Sequence, residues 1–397
     1  MHGYDVDPDL VIVGGGIGGA VLACLVGRAG KRVVVLERSA GPPDWVRPEI
    51  LWPATVGVLS SLIPRSELER EALLSLQGIT VAVGEQKLLS ITPERLREFE
   101  VQPRSTDPNR TRELLLRLGS FELRRGVEVT GVLKQGSRIE GVRFREITTG
   151  AEGEVLARLT VGDDGAQSVV RRACGIEIRT RMFPLDFLCL GFRWPSSLPP
   201  ARGRVWLDRR RGSRIFALLA LPLPGERGAG VVLARPEVFD GSREVQGEWR
   251  GFAESDAVIQ EIAGERAFPE GFVRVRRPWG HAARYGSKGA VLLGDAIHPV
   301  SPAGGQGANM SVADAVVLAE LLLAGEAPLD EYERRRRAAN ERSLLFTRRA
   351  SMVLGLARWL PINLPVSHLL RWVDRHPSVL RRVLRFASTA FQEGRAT

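Results

Sequence analysis

The chain has 397 residues, of which 44% are hydrophobic and 26% are charged, which is the composition of a folded globular protein rather than a disordered or fibrous one. The length favours two joined domains over one. The formal net charge of +10 could attract nucleic acid, anionic lipid or acidic ligands, or could reflect an arginine-rich proteome. Because no nucleic-acid-binding motif accompanies the charge, we expect no nucleic acid partner.

Cysteine and histidine usage narrows the class of protein further. The three cysteines are far apart and form no CxxC pair, which favours a reducing, cytoplasmic setting. The five histidines show no metal-ligand spacing, so no metal site is expected. The acidic N-terminus lacks the features of a signal peptide, and no run of about eighteen uncharged apolar residues indicates a membrane span.

The first elements along the chain form a strand–helix–strand unit. Leu10–Val13 is an apolar run typical of a buried parallel strand, and Arg32–Leu36 is a second one. Between them, Ile17–Ala29 predicts a helix that ends at Gly30. This order is typical of the start of an α/β nucleotide-binding fold.

The turn between the first strand and the helix has the spacing G-x-G-x-x-G, and an acidic residue closes the next strand roughly twenty residues later. The glycines permit a tight turn and a close approach of the backbone to a pyrophosphate, which then faces the free N–H groups of the helix. The acidic residue can accept hydrogen bonds from the adenosine ribose. An ordinary tight turn is the alternative, and the turn alone does not distinguish FAD from NAD. The predicted dinucleotide-binding residues are Gly14, Gly16, Ile17, Gly18, Gly19, Glu37 and Arg38.

The rest of the chain alternates helical and strand-like segments. The predicted helices are Val56–Ile63, Glu67–Leu76, Arg110–Leu118, Gln246–Glu261 and Ala308–Ala324. Gly78–Ile91 has strand character, and Val127–Leu133, Arg138–Ile147 and Glu154–Val161 predict a β-meander. Ile176–Pro278 is rich in β-structure, which indicates a separate sheet, and Ala290–Leu293 is another buried strand.

Two further motifs complete the pattern. Asp164-Gly165 follows a predicted strand and precedes Arg171, and Gly294-Asp295 follows another strand, with a glycine-rich loop downstream. In this order and at these separations, the three motifs resemble those of the FAD-dependent aromatic hydroxylases of the para-hydroxybenzoate hydroxylase type. That family includes ubiquinone-biosynthesis hydroxylases and polyketide monooxygenases. The resemblance covers roughly Asp9 to Leu323.

The resemblance implies roles for the matching residues. Asp164 would lie near the flavin pyrophosphate, and Asp295 would bind the ribityl chain; either could instead cap a helix. Arg112 and Arg47 would contact the flavin, although Arg112 could be a solvated side chain. One loop would lie against the isoalloxazine ring, and the start of the helix after it can stabilise negative charge on reduced flavin. The residues of this loop and helix start are Pro302, Gly305, Gly307, Ala308 and Asn309.

The fold that the resemblance implies is α/β: a Rossmann-like FAD-binding domain of the GR2 type, an inserted β-sheet substrate domain and a C-terminal helical segment. We assign residues 1–76, 107–174 and 279–330 to the FAD-binding domain. Residues 77–106 and 175–278 are assigned to the substrate domain, and residues 331–397 to the C-terminal helical region.

The implied activity is that of a monooxygenase. NAD(P)H reduces FAD, the reduced flavin combines with O2 at C4a, and the hydroperoxyflavin hydroxylates an aromatic or quinone-like, hydrophobic substrate. No second G-x-G-x-x-G is found, which fits a donor that binds transiently or a partner protein that reduces the flavin. No catalytic acid or base is assigned, and His298 is interpreted as structural. Because water must be excluded, we expect an apolar pocket lined by Phe183, Phe187, Phe192, Trp194 and Phe216.

Other functions are open on the same scaffold. A flavin halogenase would carry a W-x-W-x-I-P motif and a catalytic lysine, which are not found. A prenyl-chain reductase would not need O2, and a non-catalytic flavin-binding protein would need only the nucleotide site. The basic stretch Ser351–Thr397, which contains Trp359 and Trp372, could lie on a membrane surface or form a helical pair docked on the FAD-binding domain.

Overall fold

The computed structural model describes residues 8–210, 212–240, 243–276, 278–300, 302, 304–325, 328–356 and 365–393. Trp359 of the predicted membrane-binding stretch lies outside these residues. The strands in chain order are β1 Leu10–Val13, β2 Val33–Glu37, β3 Glu49–Leu51, β4 Leu73–Ser75, β5 Ile79–Val83, β6 Gln86–Ile91, β7 Arg104–Thr106, β8 Glu122–Arg125, β9 Val127–Gln135, β10 Arg138–Glu146, β11 Glu152–Leu156, β12 Leu159–Gly162, β13 Ile178–Met182, β14 Asp186–Arg193, β15 Gly203–Leu207, β16 Ile215–Leu223, β17 Arg227–Ala234, β18 Val273–Val275, β19 Pro278–Ala282, β20 Gly286–Ser287 and β21 Ala290–Leu292.

The helices connect and cover these strands. The α-helices are α1 Ile17–Arg28, α2 Pro53–Leu62, α3 Arg65–Glu67, α4 Pro93–Glu98, α5 Pro108–Leu118, α6 Val169–Ala173, α7 Arg243–Ala253, α8 Ala257–Ala263, α9 Gly307–Ala324, α10 Pro328–Leu356, α11 Pro365–Arg375 and α12 Pro377–Thr389. A π-helical turn spans Leu68–Ala72, and 3₁₀ turns span Pro236–Asp240 and Gly294–Ala296.

A six-stranded sheet in the order β20–β21–β12–β1–β2–β8 carries the glycine turn. The neighbouring strands are parallel except for β20 and β21. All four residues of the central strand β1 are buried, as expected for a β-branched run covered on both faces. Helices α1 and α9 and the β9–β11 meander contribute side chains to the same core. The predicted α/β fold with its strand–helix–strand start is confirmed.

The meander differs from the prediction at its third strand. The run predicted as one strand, Glu154–Val161, divides into β11, which pairs antiparallel with β10, and β12, which pairs parallel with β1. Strand β12 therefore belongs to the six-stranded sheet. Since parallel strands end at the same edge, the residues after β12, Asp163 and Asp164, lie beside the glycine turn after β1.

A seven-stranded sheet has the order β18–β14–β17–β16–β15–β5–β6. Strands β5 and β6 come from an early part of the chain and join this sheet through parallel pairing of β5 with β15. One face packs on helices α7 and α8 in a core that includes Trp206, Trp249 and Phe252. The other face forms a smaller apolar cluster with Trp45 from the loop after β2.

Two predicted helices are interrupted. The helix expected over Gln246–Glu261 becomes α7 and α8, because Asp256 adopts an extended conformation and caps α8 by accepting a hydrogen bond from Val258 N at 2.9 Å. The helix expected over Glu67–Leu76 ends in the π-helical turn Leu68–Ala72. Its last part is strand β4, which pairs with β7.

The C-terminal helices pack against the rest of the chain. Arg336 on α10 donates a hydrogen bond to the Phe391 carbonyl at 2.8 Å, and Gln306 donates to the Ala387 carbonyl of α12 at 3.0 Å. Helix α9 is long and apolar enough to cross a membrane by length and composition, but 61% of it is buried in the protein, which accounts for its apolar composition. Helix α12 therefore docks directly on the loop that precedes α9.

Candidate cofactor and active site

The glycine turn is fixed by close packing at the carboxyl edge of the sheet. Gly14 has a φ of 95°, and a Cβ added there would lie 2.4 Å from the Asp163 carbonyl oxygen, so only glycine fits. A Cβ on Gly18 would lie 2.5 Å from the Leu293 side chain and 3.2 Å from Ser311, so this glycine lets α1 approach α9. The turn therefore places the N-terminus of α1 at the carboxyl edge of the six-stranded sheet, where ligands of such sheets bind and which we call the cleft.

Amide groups in the first turn of α1 are available to an anion. The first hydrogen bond of the helix runs from Ala20 N to Gly16 O at 2.9 Å, so the amides of Ile17, Gly18 and Gly19 lack a carbonyl partner within the helix. The Gly19 amide donates instead to Asp163 Oδ2 at 2.8 Å. The remaining amides and the helix dipole suit a phosphate group.

Glu37 lies at the end of β2 and is buried. Its Oε2 accepts a hydrogen bond from Gly15 N and its Oε1 accepts one from Ser39 N, both at 2.8 Å. Burial opposes ionisation, but these two hydrogen bonds and the nearby charge of Arg112 outweigh it and lower the pKa of Glu37. An ionised carboxylate retains capacity for further hydrogen bonds, so Glu37 can also accept hydrogen bonds from ribose hydroxyls.

The two arginines predicted near the nucleotide differ in environment. Arg112 on α5 is 16% exposed and donates to Glu113 Oε1 at 3.0 Å, and its Nε is buried without a partner among the described residues. Arg38 is 74% exposed and lies 3.9 Å from Glu128. The position of Arg112 supports a cofactor contact, whereas Arg38 extends into solvent.

Asp164 has the capping contacts that were the alternative to a cofactor role. Its Oδ2 accepts hydrogen bonds from Val169 N at 2.6 Å and Val170 N at 3.2 Å, at the start of α6. Its Oδ1 is buried and has no partner among the described residues. Burial raises the pKa of Asp164, although hydrogen bonds from Ser168 and the helix amides oppose the shift. The one carboxylate can thus cap α6 and still face a ligand.

Arg171 follows the Asp164 motif and is buried, but it was not among the predicted cofactor-binding residues. Its Nη1 donates to the Ala296 carbonyl at 2.9 Å and its Nη2 donates to the Ala166 carbonyl at 2.7 Å. These bonds join the segment after β12 to the segment after β21. Arg171 therefore holds two of the three sequence motifs in register, a role that its position at the end of the Asp164 motif could have suggested.

Asp295 lies in the 3₁₀ turn after β21. From Val291 to Val300 it is the one residue that is not buried, and its charge acts on Asp163. Gly294 has a φ of 57°, and a Cβ there would lie 2.7 Å from Ser311 Oγ and 3.1 Å from Asp163 Oδ1. The tight turn thereby places Asp295 beside Asp163 at the carboxyl edge of the sheet.

Asn309 organises the loop before α9. Its Oδ1 accepts hydrogen bonds from Trp52 N at 3.1 Å and Thr55 Oγ1 at 2.8 Å. Its Nδ2 donates to the Ile50 carbonyl at 3.0 Å and the Gly305 carbonyl at 2.9 Å. These four bonds use the full capacity of an amide side chain. The side chain therefore positions the loop, and the contact with the flavin that the sequence predicts here would come from the backbone at the start of α9.

The other predicted loop residues surround the start of α9. Gly305 N donates to the Pro302 carbonyl at 3.0 Å, and the helix begins at Gly307. Ala308 N lies 3.4 Å from Glu49 Oε1, a carboxylate that no sequence motif marked. The N-terminus of α9 thus faces strand β3, which leads from Arg47.

Arg47 and Glu49 lie close together beside the start of α9. Arg47 Nη2 is 3.6 Å from Glu49 Oε2, and the Arg47 guanidinium lies 6.0 Å from the Trp45 ring centroid. Arg47 Nε and Glu49 Oε2 are both buried without a hydrogen-bond partner among the described residues. These atoms are available to a polar ligand.

The aromatic side chains predicted to line the substrate pocket fall on two different faces of the seven-stranded sheet. Phe183, Phe187 and Phe216 belong to the cluster that contains Trp45. Phe192 and Trp194 pack with the core under α7 and α8, so the prediction for these two is corrected. Side chains alternate across a strand, and residues 187 and 192 are separated by an odd number of positions, which places them on opposite faces.

His298 is structural in its surroundings. Its side chain is fully buried, and Nε2 lies 2.5 Å from Asp314 Oδ2 on α9. Asp314 in turn pairs with Arg336 on α10, a buried arginine that no sequence motif marked. His298 therefore connects the Asp295 turn to the helices behind it.

The residues around the cleft fit FAD. Native proteins pair nearly all buried polar atoms, so a group of unpaired ones marks a place for a polar ligand. The α1 amides and Glu37 suit the ADP half, and Arg47 with the start of α9 suits the flavin half. The buried polar atoms without a partner among the described residues include Arg47 Nε, Glu49 Oε2, Trp52 Nε1, Arg112 Nε and Asp164 Oδ1.

Comparison with known proteins gives the family. The FAD binding domain family matches residues 7–347. The chain is 30% identical to 6-methylpretetramide 4-monooxygenase of Streptomyces rimosus over 97% of this chain and 96% of that protein. It is also 30% identical to dialkyldecalin synthase of Streptomyces rugosporus, over 88% of this chain and 74% of that protein. Its fold is similar to that of p-nitrophenol 4-monooxygenase PnpA from Pseudomonas putida DLL-E4, with a TM-score of 0.76 and 20% identity over 98% of this chain and 99% of that one. The chain belongs to the FAD binding domain family and is an FAD-dependent monooxygenase of the para-hydroxybenzoate hydroxylase type.

Proposed function

We propose that this monooxygenase uses NAD(P)H and O2 to hydroxylate a hydrophobic aromatic substrate of the polyketide kind. Similarity to 6-methylpretetramide 4-monooxygenase over nearly the full length of both chains supports this substrate class. FAD, when bound, accepts hydride from NAD(P)H and activates O2. The protein binds the cofactor, orients the substrate and excludes water from the reacting atoms.

The observation that carries the proposal is the apolar wall between the seven-stranded sheet and the loop after β2. The Phe183 and Phe187 rings stack with centroids 5.3 Å apart, and Phe216 and Trp45 belong to the same cluster. Trp45 lies two residues before Arg47, so the wall extends to the flavin half of the predicted cofactor site. Aromatic side chains in such a wall can hold a planar ring by stacking and keep water out.

The decisive experiment supplies the FAD-loaded protein with NADH or NADPH, isotopically labelled O2 and a panel of phenolic and polycyclic aromatic compounds. We expect substrate-dependent oxidation of the nicotinamide and a product that has gained one labelled oxygen atom by mass. A matched anaerobic reaction is the control. Equal product formation without O2 would contradict hydroxylation and would favour a reductase or a non-oxidative reaction on the same scaffold.

We also propose that helices α11 and α12 contact an anionic membrane surface while the protein remains cytoplasmic. The docked face of α12 contributes Leu380 and Ala387 to the core, and Phe391, just after the helix, belongs to the same cluster. Elsewhere on the two helices, large apolar side chains are 40–48% exposed, and arginines accompany them, a combination suited to anionic lipid. The exposed apolar residues are Leu369, Trp372, Val383 and Phe386. The arginines of the two helices are Arg371, Arg375, Arg381, Arg382 and Arg385.

Vesicle flotation tests this contact. We expect the protein to float with vesicles that contain anionic lipid, to remain unbound with neutral vesicles, and to lose binding when Leu369 and Trp372 are both replaced by serine. Leu156→Ser is the matched control, because Leu156 is 46% exposed on β11, in another part of the fold. Equal flotation of the double variant and the unmodified protein would exclude these helices as the contact.

A further inference from the structure

The carboxylate of Asp163 packs against the first turn of α1. Its Oδ2 accepts a hydrogen bond from Gly19 N at 2.8 Å. A Cβ added to Gly16 would lie 2.4 Å from the same oxygen, and one added to Gly19 would lie 2.8 Å from it. Asp163 therefore uses one of the amides that the helix leaves unpaired, at the helix end that the FAD diphosphate must approach.

Other acidic groups on neighbouring segments lie close enough for their charges to act on Asp163. Glu37 lies at the end of β2, Asp164 follows in the same turn, and Asp295 lies in the turn after β21. Tyr332 faces it from α10. Burial, together with the charges of Asp295, Asp164 and Glu37, raises the pKa of Asp163 well above its usual range, and the Gly19 amide only partly opposes this.

The cofactor adds negative charge at this point. The FAD diphosphate carries two negative charges, and like charges in a site of low polarity strongly disfavour one another. Asp163 retains some solvent exposure, which a diphosphate bound at this helix end would reduce. An ionised Asp163 would thus compete with the diphosphate for the amides and the dipole of α1 and would lose its remaining hydration.

We propose that Asp163 must hold a proton for FAD to bind tightly, so that loading of the cofactor takes up a proton and is coupled to pH. The protonated carboxyl no longer repels the diphosphate. Because FAD binding is linked to protonation of Asp163, the affinity for FAD is highest below the pKa of Asp163 in the apoprotein. Above that pKa the dissociation constant rises by up to about tenfold per pH unit, until the higher pKa of the FAD complex is reached.

The test measures FAD binding to the apoprotein by quenching of flavin fluorescence between about pH 5 and pH 9, a range that spans raised carboxyl pKa values. For the unmodified protein we expect the dissociation constant to rise tenfold or more with pH. For Asp163→Asn, a neutral side chain of the same shape, we expect tighter binding at high pH and a flat profile. Asp330→Asn is the control, because Asp330 is 91% exposed on α10 and should keep the pH profile of the unmodified protein.

Calorimetry of FAD binding to the unmodified protein, in buffers of different ionisation enthalpy, measures proton uptake without any substitution. We expect uptake of a fraction of a proton that disappears in Asp163→Asn. Zero uptake across the pH range overturns the proposal, as does an unchanged pH profile in the variant. If Asp163→Asn does not fold, Asp163→Ala replaces it. The readout is cofactor binding, so failure to find a hydroxylated substrate would not affect the result.

Discussion

Arg336 and Asp314 form an ion pair with no access to solvent: Arg336 Nε lies 2.7 Å from Asp314 Oδ1, and both side chains are fully buried. Burial alone would raise the pKa of Asp314, but the charges of His298 and Arg336 lower it to about 2. Arg336 also donates a hydrogen bond to the Phe391 carbonyl. The pair thus links α9, which follows the glycine-rich loop, to α10 and to the segment after α12.

Replacing Arg336 should be severely destabilising. In Arg336→Met, the buried Asp314 carboxylate loses the arginine charge that offsets its burial and keeps only that of His298. We therefore expect the free energy of unfolding to fall by about 3–5 kcal/mol. The neighbouring Arg335 pairs with Glu320 and Glu393 at the surface, so Arg335→Met should cost about 1 kcal/mol or less. Urea denaturation of both variants measures the difference. Equal losses would mean that burial of the pair does not govern its contribution.

His281 should make the protein less stable in mild acid. Burial is the main cause that lowers its pKa from 6.5 to about 4. A base with a depressed folded-state pKa contributes stability that is fully present above pH 6.5 and is lost as the pH falls towards 4, because the unfolded chain binds the proton first. The loss should be about 2–3 kcal/mol.

Comparison of two histidine variants tests that prediction. His281→Gln can keep a hydrogen bond to Tyr285, whose hydroxyl lies 2.7 Å from His281 Nε2, and should flatten the stability profile between pH 4 and 6.5. His376→Gln removes an exposed histidine and should leave the profile unchanged. The prediction fails if chemical denaturation shows that the free energy of unfolding depends on pH in the same way for all three proteins.

The extent to which the sequence predicts this site depends on how local the signal is. The glycine turn, β1, α1 and β2 could be predicted to within one or two residues, since glycine spacing and apolar runs are local features. The ion pair of Asp314 and Arg336 could not, because a single charged residue on a helix has the same sequence signature whether it is solvated or buried. Asn309 was identified by its motif, but three of its four hydrogen-bond partners, Trp52, Thr55 and Ile50, come from a distant segment and could not be predicted.

The two faces of strand β14 give a prediction about substrate handling. Phe187 lies on the face with Trp45, whereas Phe192 packs on the helix side. We expect Phe187→Leu to raise the KM for the aromatic substrate by about tenfold and to divert NAD(P)H oxidation to peroxide, because the apolar wall no longer fits the ring or excludes water. Phe192→Leu should lower the melting temperature and leave coupling intact. The ratio of product formed to NAD(P)H consumed shows which face of β14 lines the substrate pocket. A larger loss of coupling in Phe192→Leu than in Phe187→Leu would refute the assignment of the pocket to the Phe187 face.

Two glycine-to-alanine substitutions should have opposite effects on stability. At Gly14, alanine would adopt a φ of 95° and place its Cβ 2.4 Å from the Asp163 carbonyl oxygen. Since the obstacle is backbone, the turn itself must shift. We expect Gly14→Ala to lower the free energy of unfolding by about 2–3 kcal/mol and to weaken FAD binding by about tenfold or more.

Gly57 is the matched control for the loss of a glycine. It lies inside α2, where an added Cβ would meet nothing within 4 Å. Alanine there should raise the free energy of unfolding by about 0.5–1 kcal/mol, because glycine loses more conformational entropy in a helix. Thermal unfolding with and without FAD measures both variants. FAD should raise the melting temperature of Gly57→Ala by as much as it raises that of the unmodified protein. It should raise the melting temperature of Gly14→Ala much less. An equal FAD-induced shift in Gly14→Ala would show that the geometry of this turn does not determine cofactor binding.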